Sequence, residues 1–425
     1  MDGSNGDIQP IPRDPLRFDL LQLFAGHLAD QGGTLQDASA QGDFVASLGQ
    51  PLTYAAADST LLRGLRTEAL FAALVVSLGR IQLIKQEDVG PAWAARRGLK
   101  IPDYRIVLPD GTTFLTEVKH FHQGRHPRKA FSISRSYLAG LRAYGELVGC
   151  PVKLAVYWSQ WNIWTLVPLS ACEAGGRPSL SLPRAIRANE LGILGDLHVG
   201  TRFPLRIRIV ADPAHERAVG DDGEVAFRIA RVEMYCADQR LTGRDWNIAM
   251  WFMLYGDWEE DATAEITDGE LVAVNFTRTP QEDHHQGFEF VGTLSGLFSS
   301  MYLSSTSDAD RVTRLGIKVV GGSLGSLIPD DYESETLPLW RIHQIQGPRR
   351  ARGAALSCAR RRTVQSRHPR LRALHRDRST DRRVLIPCKP TATNVMDDSG
   401  RRGPVGLPCI ARELWSLSPP AEANR

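Results

Sequence analysis

The strongest constraint in this chain is a pair of segments, residues 103–108 and 113–119, in which apolar and polar residues alternate, joined by Pro109-Asp110-Gly111-Thr112. Such alternation around a Pro-Asp-Gly turn reads as a β-hairpin. Successive side chains on a strand point to opposite faces, so register decides which of them meet. A three-residue loop of Asp110, Gly111 and Thr112 pairs Pro109 with Thr113, Arg105 with Glu117, and Asp103 with Lys119. Tyr104, Ile106 and Leu108 then face Phe114, Thr116 and Val118 on an apolar side, and the opposite side is ionic and open. A two-residue loop would put Asp103 on the face of Val118 and scatter the charges. The packing pattern and the grouping of Asp103, Glu117 and Lys119 therefore demand the same register. Two carboxylates and an ammonium at one end of a hairpin suit a divalent cation with a positive charge beside it, which phosphodiester hydrolysis requires. The plain alternative is a solvated charged hairpin, because an acid-x-Lys triplet alone is unspecific and Asp110 is a turn former.

Residues upstream and downstream extend the pattern. Asp58-Ser59-Thr60 offers a helix N-cap, and a helix follows over 61–79, with no charge between Ala69 and Gly79. That run is too short to span a membrane. Glu68 sits at its edge, where a carboxylate needs a partner: the hairpin site, or Arg66 or Arg80, or solvent. A second helix is expected over 134–148, closed by Gly149, and then strands over 152–157 and 162–167. Residues 95–145 carry ten lysines and arginines against three acids. A positive field beside carboxylates suits a polyanion with a metal ion between them, although a solvated basic face has the same composition. His120, His122 and His126 suit surface or phosphate contacts better than zinc, since no cysteine is near. Gln123 lies just past the strand, within reach of backbone or water. Tyr157, Trp158, Trp161 and Trp164 are expected in a hairpin core rather than under stacked bases.

Residues 61–167 resemble the PD-(D/E)XK nuclease superfamily, whose fold is restriction-endonuclease-like. Pro102-Asp103 matches its Pro-Asp, Glu117-Val118-Lys119 its Glu-x-Lys, and Glu68 the acid that many members carry on the helix before the sheet. The resemblance implies an α/β fold with a mixed central sheet flanked by helices. It implies one or two Mg²⁺ (Mn²⁺ substituting) held by Asp103 and Glu117, with the Val118 carbonyl as an extra ligand and Glu68 assisting. Lys119 would orient the attacking water and stabilise transition-state charge. Arg125, Arg128, Lys129 and Arg135 are the candidate nucleic-acid contacts. The implied activity is cleavage of nucleic acid, DNA favoured, in a defence, mobile-element or repair setting. A non-catalytic interaction module on this fold and an RNA nuclease are the alternatives.

Composition sets the frame. A chain of 425 residues holds two or three domains. The expected division is an N-terminal extension over 1–50, the nuclease-like unit over 51–172, a linker over 173–184, and an α+β unit over 185–346. The last of these offers a surface for a protein partner or a second copy. Strands are expected there over 205–211, 225–235 and 270–277, and helices over 245–255 and 288–302. Asp257, Glu259, Glu260 and Asp261 read as an exposed acidic loop, and His284-His285 as a loop leading into a helix. The net charge of +3 conceals a tail, residues 348–425, with 18 lysines and arginines against six acids. It is arginine- and proline-rich, without apolar periodicity, and reads as disordered or out of frame. Six cysteines form no Cys-x-x-Cys pair, which argues against a zinc ribbon or a disulfide framework. No apolar leader opens the chain, so a cytoplasmic location is expected. No phosphate-binding Gly-x4-Gly-Lys-Ser/Thr run occurs, which removes a fused ATP motor.

Overall fold

The structure, a computed structural model, describes residues 8–10, 15–90, 92–124, 126, 129–173, 177–217, 227–308 and 311–343. The tail after 346 lies outside the described residues, as do Arg125 and Arg128.

Three helices lead in: α1 (Pro15–Gln31), α2 (Ala38–Ala57) and α3 (Ser59–Leu78). The extension expected over 1–50 therefore ends inside α2. The α3 boundaries follow from its caps: the Asp58 carboxylate accepts from the N–H groups of Thr60 and Leu61, and Gly79 closes the helix at φ +79°.

Five strands then form a mixed sheet, in the order β1 (Leu83–Gln86), β2 (Tyr104–Val107), β3 (Thr113–Phe121), β5 (Val152–Trp158), β6 (Ile163–Pro168). Only β3 and β5 run parallel. The crossover between them contains the two-residue β4 (Phe131–Ser132) and α4 (Arg135–Val148), as a parallel pair demands. Ser134 caps α4 and Gly149 ends it at φ +69°. Alternation sorts the sheet's two faces. Ile106, Phe114, Val118, Ala155, Tyr157, Trp164 and Leu166 pack towards α3. Leu115, Val152, Leu154, Val156 and Trp158 pack with Leu138 and Leu141 of α4. The hairpin face expected to be open is therefore largely covered by α4.

The stretch expected as a linker holds the short β7 (Ser179–Leu180), paired with β4, and the start of α5 (Leu182–Arg187). Leu180 is fully buried in the α4-side core, which is why these residues are ordered into that layer. Beyond lie β8 (His198–Thr201), β9 (Leu205–Ala211), β10 (Ile229–Cys236), β11 (Gln239–Leu241), α6 (Gly243–Tyr255), β12 (Glu259–Thr267), β13 (Glu270–Thr279), β14 (Glu289–Thr293) and α7 (Leu294–Thr306). The short β15 (Ser307–Asp308), β16 (Arg311–Val312), α8 (Ser323–Leu327) and β17 (Leu339–Ile342) complete the described fold. A five-stranded antiparallel sheet runs β11-β10-β9-β13-β12, and a three-stranded one runs β14-β8-β17.

Two expectations fail here. The segment over 288–302 does not start as a helix. Its first residues are β14, paired with β8, and Thr293 then caps α7. The acids Glu259, Glu260 and Asp261 lie in the exposed edge strand β12 rather than in a loop, and Arg278 on β13 pairs with Glu260.

One apolar core joins both halves. It runs without a break from Leu70, Phe71 and Leu74 of α3, through Trp164, to Ile207, Met250, Phe252, Phe298 and Leu337. Polar contacts cross the same boundary: Trp164 donates to Ser299, and the Asn162 amide donates to the Gly296 carbonyl and to Ser300. At the end of α3, the Gly322 N–H donates to the Val76 carbonyl. A Cβ on Gly79 would lie 2.7 Å from the Gly322 Cα, so that close approach and the positive φ both require glycine. Among the described residues, no helix is long and apolar enough to cross a membrane.

Candidate active site

The hairpin forms in a register two residues away from the expected one. Tyr104 faces Thr116, Arg105 faces Leu115, and Val107 faces Thr113. The loop still has three residues, but they are Pro109, Asp110 and Gly111. Leu108 donates to the Thr112 carbonyl, the Asp110 carboxylate accepts from the Thr112 N–H, and Gly111 takes φ +83°. A shift of two preserves which face each side chain occupies. Continued outward, this register sets Asp103 opposite Glu117, not Lys119. Arg105 consequently does not meet Glu117. Its guanidinium grips Glu87, at the end of β1, at 3.0 and 2.6 Å, and Tyr144 of α4 donates to the same carboxylate at 2.8 Å.

Asp103 and Glu117 both lie on the α4 side, at 8% and 1% exposure. Asp103 Oδ2 accepts from the Val118 N–H at 2.6 Å, tying the carboxylate to β3. Glu117 Oε1 receives Lys119 Nζ and the Tyr137 hydroxyl, the latter at 2.5 Å. Glu117 Oε2 is buried and has no hydrogen-bond partner. Burial, and then the neighbouring Glu117 charge, push the Asp103 carboxyl far above the usual carboxylate range, to about 7. Burial and the hydrogen bond to Glu117 hold the Tyr137 hydroxyl in its neutral, donating form. Lys119 Nζ also stands over the Tyr137 ring, 5.5 Å from its centroid.

Glu68 approaches from the α3 side of the sheet. Burial raises its carboxyl pKa, Lys119 lowers it, and Asp88 and Glu117 raise it further. Arg66 and Arg80 do not take it up: Arg66 donates to Ser307, and Arg80 to Asp330. Among the described residues, no three acidic, histidine or cysteine side chains draw together closely enough to hold a metal ion. The arrangement is thus a close carboxylate pair, Asp103 and Glu117, with Glu68 standing off.

The remaining candidates distribute as follows. Arg135 is exposed at the start of α4, and Lys129 stands 6.0 Å from the Phe121 ring. Gln123 is buried; it accepts from the Trp161 indole at 2.6 Å and donates to the Lys129 carbonyl. Tyr157, Trp158 and Trp164 are core residues, whereas Trp161 is 45% exposed. A cavity of about 220 Å³ between the β5–β6 turn and α7 is lined by none of Glu68, Asp103, Glu117 and Lys119.

Sequence reasoning missed Tyr137, Glu87 and Asp88. Tyr137 lies in the first turn of α4, and nothing local marks it; only the packing of that helix on β3 brings its hydroxyl to Glu117.

Asp103, which burial and its neighbour oppose ionising, and the buried, unpartnered Glu117 Oε2 are oxygen donors of the kind a hard divalent cation takes, with no third acid drawn up to them among the described residues. The Val118 carbonyl lies in the same strand as Glu117 and Lys119.

Comparison with known proteins finds no matching family profile and no matching curated protein. Among solved structures, the 1.6 Å structure of Hjc, a Holliday junction resolvase from the archaeal hyperthermophile Archaeoglobus fulgidus, aligns with 26% of this chain and 85% of its own, at 15% identity and a TM-score of 0.21.

Proposed function

We propose that the chain is a metal-dependent nuclease that hydrolyses phosphodiester bonds, with DNA as the favoured substrate. The observation that carries this reading is Glu117 Oε2, an unpartnered buried carboxylate oxygen beside an Asp103 that burial and a like charge oppose ionising. Burying that pair without a counter-charge on Oε2 costs the fold stability. Asp103, Glu117 and the Val118 carbonyl would hold Mg²⁺ or Mn²⁺, and Glu68 would fix a water at the edge of the site. The ion supplies a nucleophilic water of lowered pKa and charge neutralisation at the phosphate. Lys119, beside Glu117, would orient the attacking water and meet charge developing on the phosphate oxygens. Tyr137 and Lys119 together hold Glu117 Oε1, leaving Oε2 as the free donor. α4 keeps bulk water off one side of the pair.

The direct test is cleavage of supercoiled and branched DNA with Mg²⁺ or Mn²⁺, for wild type and Lys119→Ala. The wild type should cut, and the variant should be slower by ~10³-fold, the loss of about 4 kcal/mol of transition-state stabilisation. Equal inertness of the two, with DNA binding intact, would leave an interaction module. RNA substrates alongside decide between the two nucleic acids.

Metal binding should also show in stability. A cation at this pair displaces the Asp103 proton, so affinity rises with pH through about 7. Mg²⁺ or Ca²⁺ should raise the Tm more at pH 8 than at pH 6. A shift independent of pH would place the ion elsewhere.

A further inference from the structure

Alternation along β3 turns His120 to the face opposite Lys119, towards α3. There it lies among cations. Arg63 and Arg66, one turn apart on α3, and His122 are its charged neighbours. Its ring lies edge-on to Tyr157 at 6.0 Å. Arg66 is half-buried, and burial lowers its pKa; Tyr157 and Tyr302 act the other way, and the Arg63 charge adds a smaller lowering. Among the described residues, neither Arg63 nor Arg66 has a carboxylate within ion-pairing distance. The Arg66 guanidinium donates to the Ser307 hydroxyl, a neutral partner supplied by β15.

A half-buried guanidinium costs free energy unless an anion meets it, and a second arginine beside it raises that cost. Elsewhere the fold does supply the anion: Arg105 has Glu87, Arg208 has Glu233 and Glu265, and Lys153 has Glu190. The α3 cluster has no such carboxylate among the described residues, a lack it shares with the half-buried Arg206 and Arg341, which turn instead to the Tyr235 ring and to backbone carbonyls. On α3, β3 and β15 the fold sets two guanidinium groups, an imidazole and a hydroxyl near the end of β3 that carries Lys119.

We propose that Arg63, Arg66 and His120 form an anion site that takes a backbone phosphate of the nucleic-acid substrate, flanking the scissile position. This rests on the nuclease reading above and deepens it. The substrate backbone crosses the end of β3, with the scissile phosphate on the Lys119 side and a neighbouring one on the α3 side. Arginine suits this role, because its planar fork can grip two phosphate oxygens while Ser307 steadies it.

The test is DNA binding by fluorescence anisotropy, with Ca²⁺ to hold off cleavage, across a salt series. Arg63→Gln and Arg66→Gln should each weaken binding roughly fivefold or more and reduce the slope of log K against log salt by about 1. Arg66→Lys, which keeps the charge, should keep the slope. The Tm of the free Arg63→Gln protein should stay level or rise, since a like-charge contact is removed. An unchanged slope in both glutamine variants of a protein that still cuts DNA overturns the phosphate site and leaves the nuclease reading standing. A fall in Tm without a change in slope assigns the arginines to structure and overturns it as well. A wild type that neither binds nor cuts nucleic acid overturns both. Stabilisation of the wild type by inorganic phosphate, with no salt-dependent DNA affinity, would make this a site for free anions and not for a substrate backbone.

Discussion

Asp103→Asn should abolish cleavage and leave the folded protein more stable. The asparagine oxygen can still accept from the Val118 N–H, so the backbone tie is kept. What disappears is the charge. Loss of one anionic donor from a two-carboxylate site should slow cleavage by ~10³-fold or more, about 4 kcal/mol at the transition state. The stability effect has the opposite sign, and pH tests it. In the folded state the Asp103 carboxyl titrates near 7, well above its unfolded value of about 3.9. Between those values the native state holds the proton and the unfolded state does not, so the wild type loses stability as pH rises through this window and stays at the lower level above it. The gain from asparagine should therefore be full at pH 8 without metal, shrink as pH falls, and vanish near pH 4. Residual cleavage within tenfold of wild type, or a Tm lowered at pH 8, would remove Asp103 from the site.

The largest loss of stability should come from Trp164→Ala. The indole is 1% exposed, packs against Phe71 at 5.4 Å, stacks on Tyr157 at 5.0 Å, and donates to Ser299. Truncation removes a large buried ring and leaves a cavity, which typically costs 3–5 kcal/mol. Ser299 also loses a partner in a dry setting, although it still donates to the Ser295 carbonyl. Phe71 belongs to α3, Tyr157 to the first sheet and Ser299 to α7, so the damage should spread to both halves. Denaturant unfolding should remain one transition at a lower midpoint, followed equally by far-ultraviolet dichroism and tryptophan fluorescence. Two transitions, with only one displaced, would contradict the shared core.

Much of the first half was legible because its punctuation is local. Asp58 with Gly79, and Ser134 with Gly149, bracket helices that run within a residue or two of their expected limits. The parity of the hairpin was legible too, since apolar alternation fixes faces. Its absolute register was not. Pro109-Asp110-Gly111 and Asp110-Gly111-Thr112 are both plausible three-residue loops, and the choice rests on Gly111 taking the positive φ. The same two-residue shift takes Arg105 away from Glu117 and leaves it to Glu87. Glu87 reaches it through an irregular connection that no period announces. In the second half, Phe288, Phe290 and Val291 read as the start of an apolar helix, although the Gly292-Thr293 step marks a strand giving way to a capped helix. Tyr137 and the α3 arginines carry no sequence signature. They matter only because two helices dock on opposite faces of β3.

The continuous core beneath α3 also bears on inheritance. A gene fragment ending within residues 173–184 would leave Trp164 and the outer side of α3 without the cover that α6 and α7 give them. The first sheet and the layer behind it are therefore expected to be gained, exchanged or discarded as one piece.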